Sequence, residues 1–412
     1  MSAPRLLIVS HDFPPSTGTS GRRPERLCRF LTERGAPPAV VTAAPEFYGK
    51  AVMAGPSIRD EVRVFEVPYR RRFAVLEKAG WPGRQLWKLA VVRAYRQALE
   101  RALKAGPLPD FLYFLGVPFW YFPLAGRVHS QSGIPCVLEF GDVFYMRGVT
   151  YRMGQRSGLR QLLDGAAEAR AVAGAALVIH TTESQTALYR RRYSSKPPED
   201  FITIPWGFDD ELLKDVAPEP QGTDEPFRIA IFGKFAAYGV DDAHALARAV
   251  GDFHARHRVE VIQLGDPEPV LADAFHWEGM SGRFRQPGMQ PYAEGLRLLA
   301  SAHCLVLNAI SDISLPVKVY DYIGVNRPVL AFVTPESEAG RLLSRFSGAF
   351  LVQTAAEAEG ALDRIADQGL RHLQAGLDKA EFGQRRHFER LIERLEELRA
   401  RTGTRSGGGP CA

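Results

Sequence analysis

Short, β-branched apolar runs recur along this chain, each stopped by glycine or polar residues and followed by a stretch of helical period. "RLLIVS" (5–10) is the first. It leads into the loop "HDFPPSTGTSG" and then "RPERLCRFLTERG", which puts Leu27, Phe30 and Leu31 on one helical face and ends at Gly35. "PAVVTA", "DFLYFLG", "PCVLEFGD", "ALVIHTT" and "FITIPWG" continue the pattern, with helices expected over "PLAGRVHSQSG" and "LRQLLDGAAEARAVAG". Unbroken apolar runs of this length suit strands buried on both faces, and their alternation with helices predicts a parallel sheet with helices on either side.

The alternation stops at "DDELLKDVAPEPQGTDEP", an acidic, Pro- and Gly-rich stretch without apolar periodicity, as an interdomain linker has. It restarts with "FRIAIFGK" and runs through "VEVIQLG", "GRFRQPG", "HCLVLNA", "PVLAFV" and "GAFLVQ". The expected architecture is therefore α/β, two doubly wound Rossmann-like domains. One covers 1–207, a linker 208–226, and the second 227–380. A long amphipathic helix over 381–403 is expected to pack back on the first domain, and 404–412 to form a disordered tail.

A chain of 412 residues has room for two cores of this size. Its net charge of +5 suits phosphorylated ligands or an anionic membrane surface and is too small to argue for nucleic acid. Cys28, Cys136, Cys304 and Cys411 are scattered without metal-ligand spacing, which points to a reducing compartment. The apolar run near the start is too short for a signal peptide and no run is long enough to span a bilayer, so the expected location is cytoplasmic.

In open α/β sheets ligands collect beyond the carboxyl ends of the strands, and three loops there carry suitable chemistry. In "SHDFPPSTGTSGRR", Gly18 and Gly21 allow close backbone approach ahead of a helix N-terminus, and Arg22 and Arg23 add anion affinity. The same loop supplies His11. In "FGK", Lys234 puts a cation directly after the first strand of the second half. The third is "SLPVKVYDYIG", expected to form a helix from about Pro316. Ser314 and Leu315 then lie at its positive end with amides free for a phosphate, and Lys318 and Asp321 share a face. The neighbouring Val317, Val319, Tyr320, Tyr322 and Ile323 leave little room for that face to be mere solvated surface.

One further stretch is unusual. From Tyr69 to Lys104 ten basic residues stand against Glu77 and Glu100, with Trp81 and Trp87 among them. A basic amphipathic helix of this kind can lie on an anionic membrane surface or receive an anionic acceptor. The alternative is a solvated helix whose tryptophans enter the core.

Together "LLIVSHDFPPSTGTSGRRPERLCRFLTERGAPPAVVT" and "HCLVLNAISDISLPVKVYDYIGVNRPVLAFV" resemble the two ends of retaining glycosyltransferases of the GT-B architecture, in glycosyltransferase family 4. "PDFLYFLG", "IPCVLEFGD", "ALVIHTT" and "IPWGFDDE" follow in the order and spacing that the likeness requires. The resemblance implies a sugar moved from a nucleoside diphosphate, such as a UDP- or GDP-sugar, with the donor on the C-terminal half and the acceptor on the N-terminal half. It implies chemistry in the cleft between them and no bound cofactor or metal. It puts Asp321 on the ribose hydroxyls, Lys234 and Lys318 on the diphosphate with the Ser314 and Leu315 amides, Gly288 near the base, and Gly18 and Gly21 near the reacting end. His11 and Asp142 would face the acceptor, a small molecule or a lipid-linked glycan. The family's first glutamate falls on Ile313, its second basic residue on Tyr238 and a frequent histidine on Gly141. Those departures keep open a sugar-nucleotide epimerase of the same architecture, or a nucleotide-sugar-binding subunit without catalysis.

Overall fold

The computed structural model describes residues 3–16, 18–48, 57–78, 80–144, 158–214, 216 and 225–405. By its internal contacts the chain forms two compact units, one of Met1–Gly148, Gly154–Ile204 and Phe388–Ala412, the other of Val149–Met153 and Pro205–His387.

The first unit runs β1 (Leu6–Ser10), α1 (Thr19–Glu33), β2 (Ala39–Ala43), β3 (Arg63–Val67), α2 (Arg71–Lys78), α3 (Gly80–Lys104), β4 (Phe111–Leu115), α4 (Leu124–Ser132), β5 (Cys136–Phe140), α5 (Gly158–Ala173), β6 (Leu177–His180), α6 (Glu183–Arg192) and β7 (Phe201–Thr203). Its strands lie in the order β3-β2-β1-β4-β5-β6-β7, every pair parallel. β1, β4, β5 and β6 are buried along their whole length, which is why each reads as an unbroken apolar run. β3 lies outside the runs predicted as strands: as the edge strand it alternates exposed Arg63 and Glu66 with apolar residues.

The second unit runs α7 (Asp210–Lys214), β8 (Phe227–Phe232), α8 (Val240–His254), β9 (Val259–Leu264), α9 (Pro269–Trp277), β10 (Phe284–Gly288), α10 (Tyr292–Ala300), β11 (Cys304–Asn308), α11 (Lys318–Val325), β12 (Val329–Phe332), α12 (Glu338–Leu343), β13 (Ala349–Val352) and α13 (Ala355–Asp367). Its parallel strands are ordered β10-β9-β8-β11-β12-β13. One apolar cluster lies under α8, α9 and α13, and a second under α10 and α11. In both units the strand order reverses after the first strand, between β1 and β4 and between β8 and β11.

α14 (Gln384–Arg405) closes the chain, and its Phe388, Leu391, Ile392, Leu395 and Leu398 share the first unit's core with Leu27, Phe30 and Leu31 of α1. Residues 406–412 of the expected tail lie outside the described residues. The stretch expected to begin a free linker is packed instead: Phe208, Leu213 and Val216 are buried in the second unit's core, and Phe208 bridges to Gly383. Only Leu213 of these three lies on the short helix α7, and one apolar anchor on a helix of that length does not show as periodicity. Residues 215 and 217–224 of that linker are outside the description.

Candidate functional site

At the switch point of the second unit, the loop after β8 turns through Gly233 at φ +71°. The next two strands on one side, β9 and then β10, end in the same way, at Gly265 (φ +136°) and Gly288 (φ +82°), so three adjacent strands finish in a backbone region that side chains avoid. Gly265 has a second reason to lack a side chain, since a Cβ there would lie 3.0 Å from the Gly233 Cα.

The loop itself is held by an acid from the next strand's loop. The buried Glu268 carboxylate accepts the backbone N–H groups of Phe235, Ala236 and Ala237 at 2.7, 3.1 and 2.8 Å. Asn308, the last residue of β11, adds a bond from Nδ2 to the Phe235 carbonyl at 3.3 Å. Lys318 completes the frame: its ammonium donates to the Lys234 carbonyl at 2.6 Å and lies 5.3 Å from the centre of the Tyr238 ring. The two lysines are thus brought together through a backbone oxygen, with the Lys234 side chain left exposed. Desolvation pushes the Lys318 pKa down to about 7, opposed by the Glu268 carboxylate. Lys318 as a residue is only part-buried, so solvent contact limits the size of that shift and not its direction.

Asp321 is 3% exposed, one turn further along α11, and accepts a short hydrogen bond from the Tyr292 hydroxyl of α10. Next to it, Tyr322 ties the two central strands together, donating to the Val306 carbonyl at 2.9 Å and accepting from the Phe232 N–H at 3.0 Å. A carboxylate and an ammonium therefore project from the first turn of one buried helix at the carboxyl ends of β8 and β11.

α11 begins two residues later than its sequence suggests. Val319 N–H closes on the Pro316 carbonyl at 3.0 Å and Tyr320 N–H on that of Val317 at 3.0 Å, so Pro316 opens a tight turn that precedes the helix. Ser314 and Leu315 lie before that turn and outside the first helical turn; Ser314 is buried, and Leu315 packs partly buried against the core. α11 ends at Asn326, whose φ of +54° is the left-handed cap that the Asn-Arg-Pro break implies.

In the first unit, His11 follows β1. Its carbonyl accepts from Tyr48 Oη at 2.6 Å and Thr42 Oγ1 at 3.0 Å, and its Nδ1 is 2.8 Å from the hydroxyl of the buried Tyr95. Desolvation lowers the His11 pKa, opposed by Asp12. Gly18 caps α1 with an extended backbone, and a Cβ at Gly18 or Gly21 would make only ordinary contacts, so neither glycine is required sterically. Asp142 is part-buried just beyond β5.

Arg23 corrects the anion reading of the Arg-Arg pair. It is 1% exposed, forms an ion pair with Glu139 of β5 and lies 5.4 Å from the centre of the Phe388 ring. Glu139 also accepts from Tyr113 Oη. Arg23 is therefore a structural charge inside the first unit. The residues from Tyr69 to Lys104 form two helices, and Trp87 of α3 is half-buried against Trp120; the side chain of Trp81 lies outside the description.

Among the described residues no helix is long and apolar enough to cross a membrane, and no group of three or more His, Cys, Asp and Glu could hold a metal ion. Sequence reasoning missed Glu268, Asn308, Tyr292 and the glycines at 233 and 265. The signal available for them was position at or near the carboxyl ends of predicted strands, except for Tyr292, which opens the helix after β10.

No protein-family model and no curated protein matches the sequence. Solved structures do. HepE of Anabaena, in complex with UDP and glucose, is similar at a TM-score of 0.64 and 14% identity over 96% of this chain and 100% of that one. The lipopolysaccharide outer core galactosyltransferase WaaB, in its apo form, is similar at 0.61 and 11% over 95% and 99%. The UDP-GlcNAc 2-epimerase of Neisseria meningitidis, bound to UDP-GlcNAc, is similar at 0.59 and 13% over 95% and 100%. At these identities the likeness is one of fold: two units, each a parallel sheet with interleaved helices, as in the GT-B glycosyltransferases.

Proposed function

We propose that the protein moves a sugar from a nucleoside diphosphate to an acceptor hydroxyl, or another nucleophile, with retention of configuration. The observation that carries this reading is the pairing on α11: buried Asp321, and Lys318 fixed against the loop that bears Lys234. A carboxylate accepts from two vicinal ribose hydroxyls at once, and two cations at a strand-end loop compensate a departing diphosphate without a metal. In this reading the donor occupies the second unit, near Gly288 at its base end and Ser314 and Leu315 at its phosphates. The acceptor lies on the first, with Gly18, Gly21, His11 and Asp142. The bond from the anomeric carbon to the phosphate oxygen breaks, the bond to the acceptor oxygen forms on the same face, and the acceptor proton passes to the departing phosphate. That route needs positioning and charge stabilisation rather than a dedicated base. Residues 69–104 would rest on the inner face of a membrane.

The test is a thermal-shift panel of UDP, GDP, ADP and dTDP, since a ligand at a hundred times its dissociation constant adds roughly 2.7 kcal/mol. One nucleotide is expected to raise the melting temperature, and Asp321→Asn to weaken it at least tenfold, a loss of about 1.4 kcal/mol or more for a charged hydrogen-bond acceptor. No shift with any of the four overturns the reading. The epimerase among the similar structures keeps a second reading in view. Conversion of the donor sugar to an isomer without acceptor would select it.

A further inference from the structure

The carboxyl ends of β3, β2, β1 and β4, four neighbours in the first sheet, each deliver aromatic or imidazole rings to one place. β1 supplies His11, the loop after β2 Phe47 and Tyr48, that after β3 Tyr69, and that after β4 Trp120. The His11 ring lies 5.6 Å from Phe47, 6.2 Å from Tyr48 and 5.9 Å from Trp120. Phe47 meets Tyr69 at 4.9 Å, and Trp120 meets Trp87 of α3 at 5.5 Å.

The cluster has two tiers. Phe73, Tyr95, Tyr121 and Phe122 are fully buried and belong to the core. His11, Phe47, Tyr48, Tyr69, Trp87 and Trp120 keep part of their surface open. A core needs only the lower tier. The upper tier holds ring surface against water at the point where the strand order of this sheet reverses, the place where open α/β sheets bind their ligands.

The polar chemistry there is set from below. The Tyr95 hydroxyl is buried, and its one hydrogen-bond partner among the described residues is His11 Nδ1. A buried hydroxyl with a single partner uses its proton, because an orphaned donor is the costlier loss. Nδ1 is then the acceptor, and the neutral imidazole carries its proton on Nε2, which is left for a ligand. Flat apolar rings beside a single N–H donor match a molecule with one apolar face and a rim of hydroxyls.

We propose that this cluster is the acceptor subsite and takes a sugar ring, its C–H face stacked on Trp120 and a ring hydroxyl accepting from His11 Nε2. Tyr95 is a positioning residue that fixes the tautomer. The assignment of the ligand as acceptor rests on the transferase reading above.

The test is saturation-transfer NMR on the intact protein with methyl and octyl glycosides of glucose, galactose, mannose and N-acetylglucosamine, and with sorbitol as an open-chain polyol. At least one glycoside should receive saturation at its ring protons. Trp120→Ala should reduce that signal at least fivefold, Trp120→Phe should retain it, and sorbitol should give none. The nitrogen shifts of His11 should report a proton on Nε2, lost to a tautomer mixture in Tyr95→Phe. Absence of signal from every glycoside, saturation confined to the octyl chain, an undiminished signal in Trp120→Ala, or a proton on Nδ1 overturns the proposal. The nucleotide panel separates the two readings. Glycoside binding without any nucleotide shift removes the transferase and leaves a sugar site; a nucleotide shift without glycoside binding removes this subsite alone.

Discussion

Glu268→Gln isolates the group that shapes the loop under Lys318. The native carboxylate accepts three backbone N–H groups, those of Phe235 and Ala236 on one oxygen and of Ala237 on the other. The amide is nearly isosteric and can still accept on one side, but its NH₂ then faces a second donor. One buried charge-assisted bond is lost and a donor is left facing a donor, which places the cost at about 2 kcal/mol. The damage is local, because the Glu268 carboxylate bonds to the loop, while the bond the residue accepts from Gln286 of β10 uses its backbone carbonyl, which the change leaves in place. Amide hydrogen exchange reads it directly: if these amides exchange by local opening, about 2 kcal/mol accelerates them roughly thirtyfold, and amides of β8 and β11 that open only on global unfolding accelerate by no more than that. The Lys234 carbonyl loses its fixed place at the same time, so nucleotide affinity should fall, and the melting temperature should drop by the few degrees that a loss of about 2 kcal/mol implies. Exchange at Phe235, Ala236 and Ala237 within a factor of about three of the parent would refute the reasoning, since it would mean that Glu268 does not hold the loop.

On the transferase reading, Lys318 makes nucleotide binding pH-dependent. Its folded pKa of about 7 lies below the ordinary 10.5, so between those values the unfolded chain holds a proton the folded chain lacks, and this group's contribution to stability rises with pH across that window. A diphosphate favours the charged lysine, so binding of whichever nucleotide the panel selects should take up a proton at this site at about pH 8, seen as buffer-dependent calorimetric heats and lost in Lys318→Met. Arg23→Met leaves Glu139 charged and buried and should cost about 3–5 kcal/mol in urea unfolding, most of it recovered when Glu139→Gln is added; equal losses in the single and double variants contradict the pairing. Leu86 and Leu89 of α3, three apart on one helical face, are 56% and 67% exposed, Val75 of α2 is 70% exposed, and Arg70, Lys78, Arg84 and Arg93 of the same stretch are exposed too. Leu86→Ser with Leu89→Ser should weaken binding to anionic vesicles roughly a hundredfold, at about 1.5 kcal/mol per leucine; no binding by the parent protein, or unchanged binding by the variant, removes membrane contact at this face.

Both parallel sheets were legible because burial on two faces writes itself into sequence as unbroken apolar runs. The same rule explains the omission of β3, where edge exposure interleaves Arg63 and Glu66 with the apolar residues. Arg22 and Arg23 are identical in local sequence, and only a glutamate 116 residues away distinguishes the buried one. Pro316 has the backbone angle that suits both a first helical turn and the tight turn before one, so composition alone could not place the start of α11.

The candidate donor site divides along the same line. Lys318 and Asp321 were visible because a charged pair within an apolar helix conflicts with its surroundings, and such conflicts concentrate at functional positions. What Lys318 holds was not visible, because the Lys234 carbonyl and the amides of Phe235, Ala236 and Ala237 are present in every residue type. Their arrangement depends on Glu268 and on glycines ending three adjacent strands, features that acquire meaning only once β8, β9 and β10 lie side by side. A site that binds through backbone atoms leaves its trace in the residues that bend and anchor the backbone. In this chain those are Gly233, Gly265, Gly288 and Glu268, and substitutions there should disturb nucleotide binding as strongly as changes to either lysine.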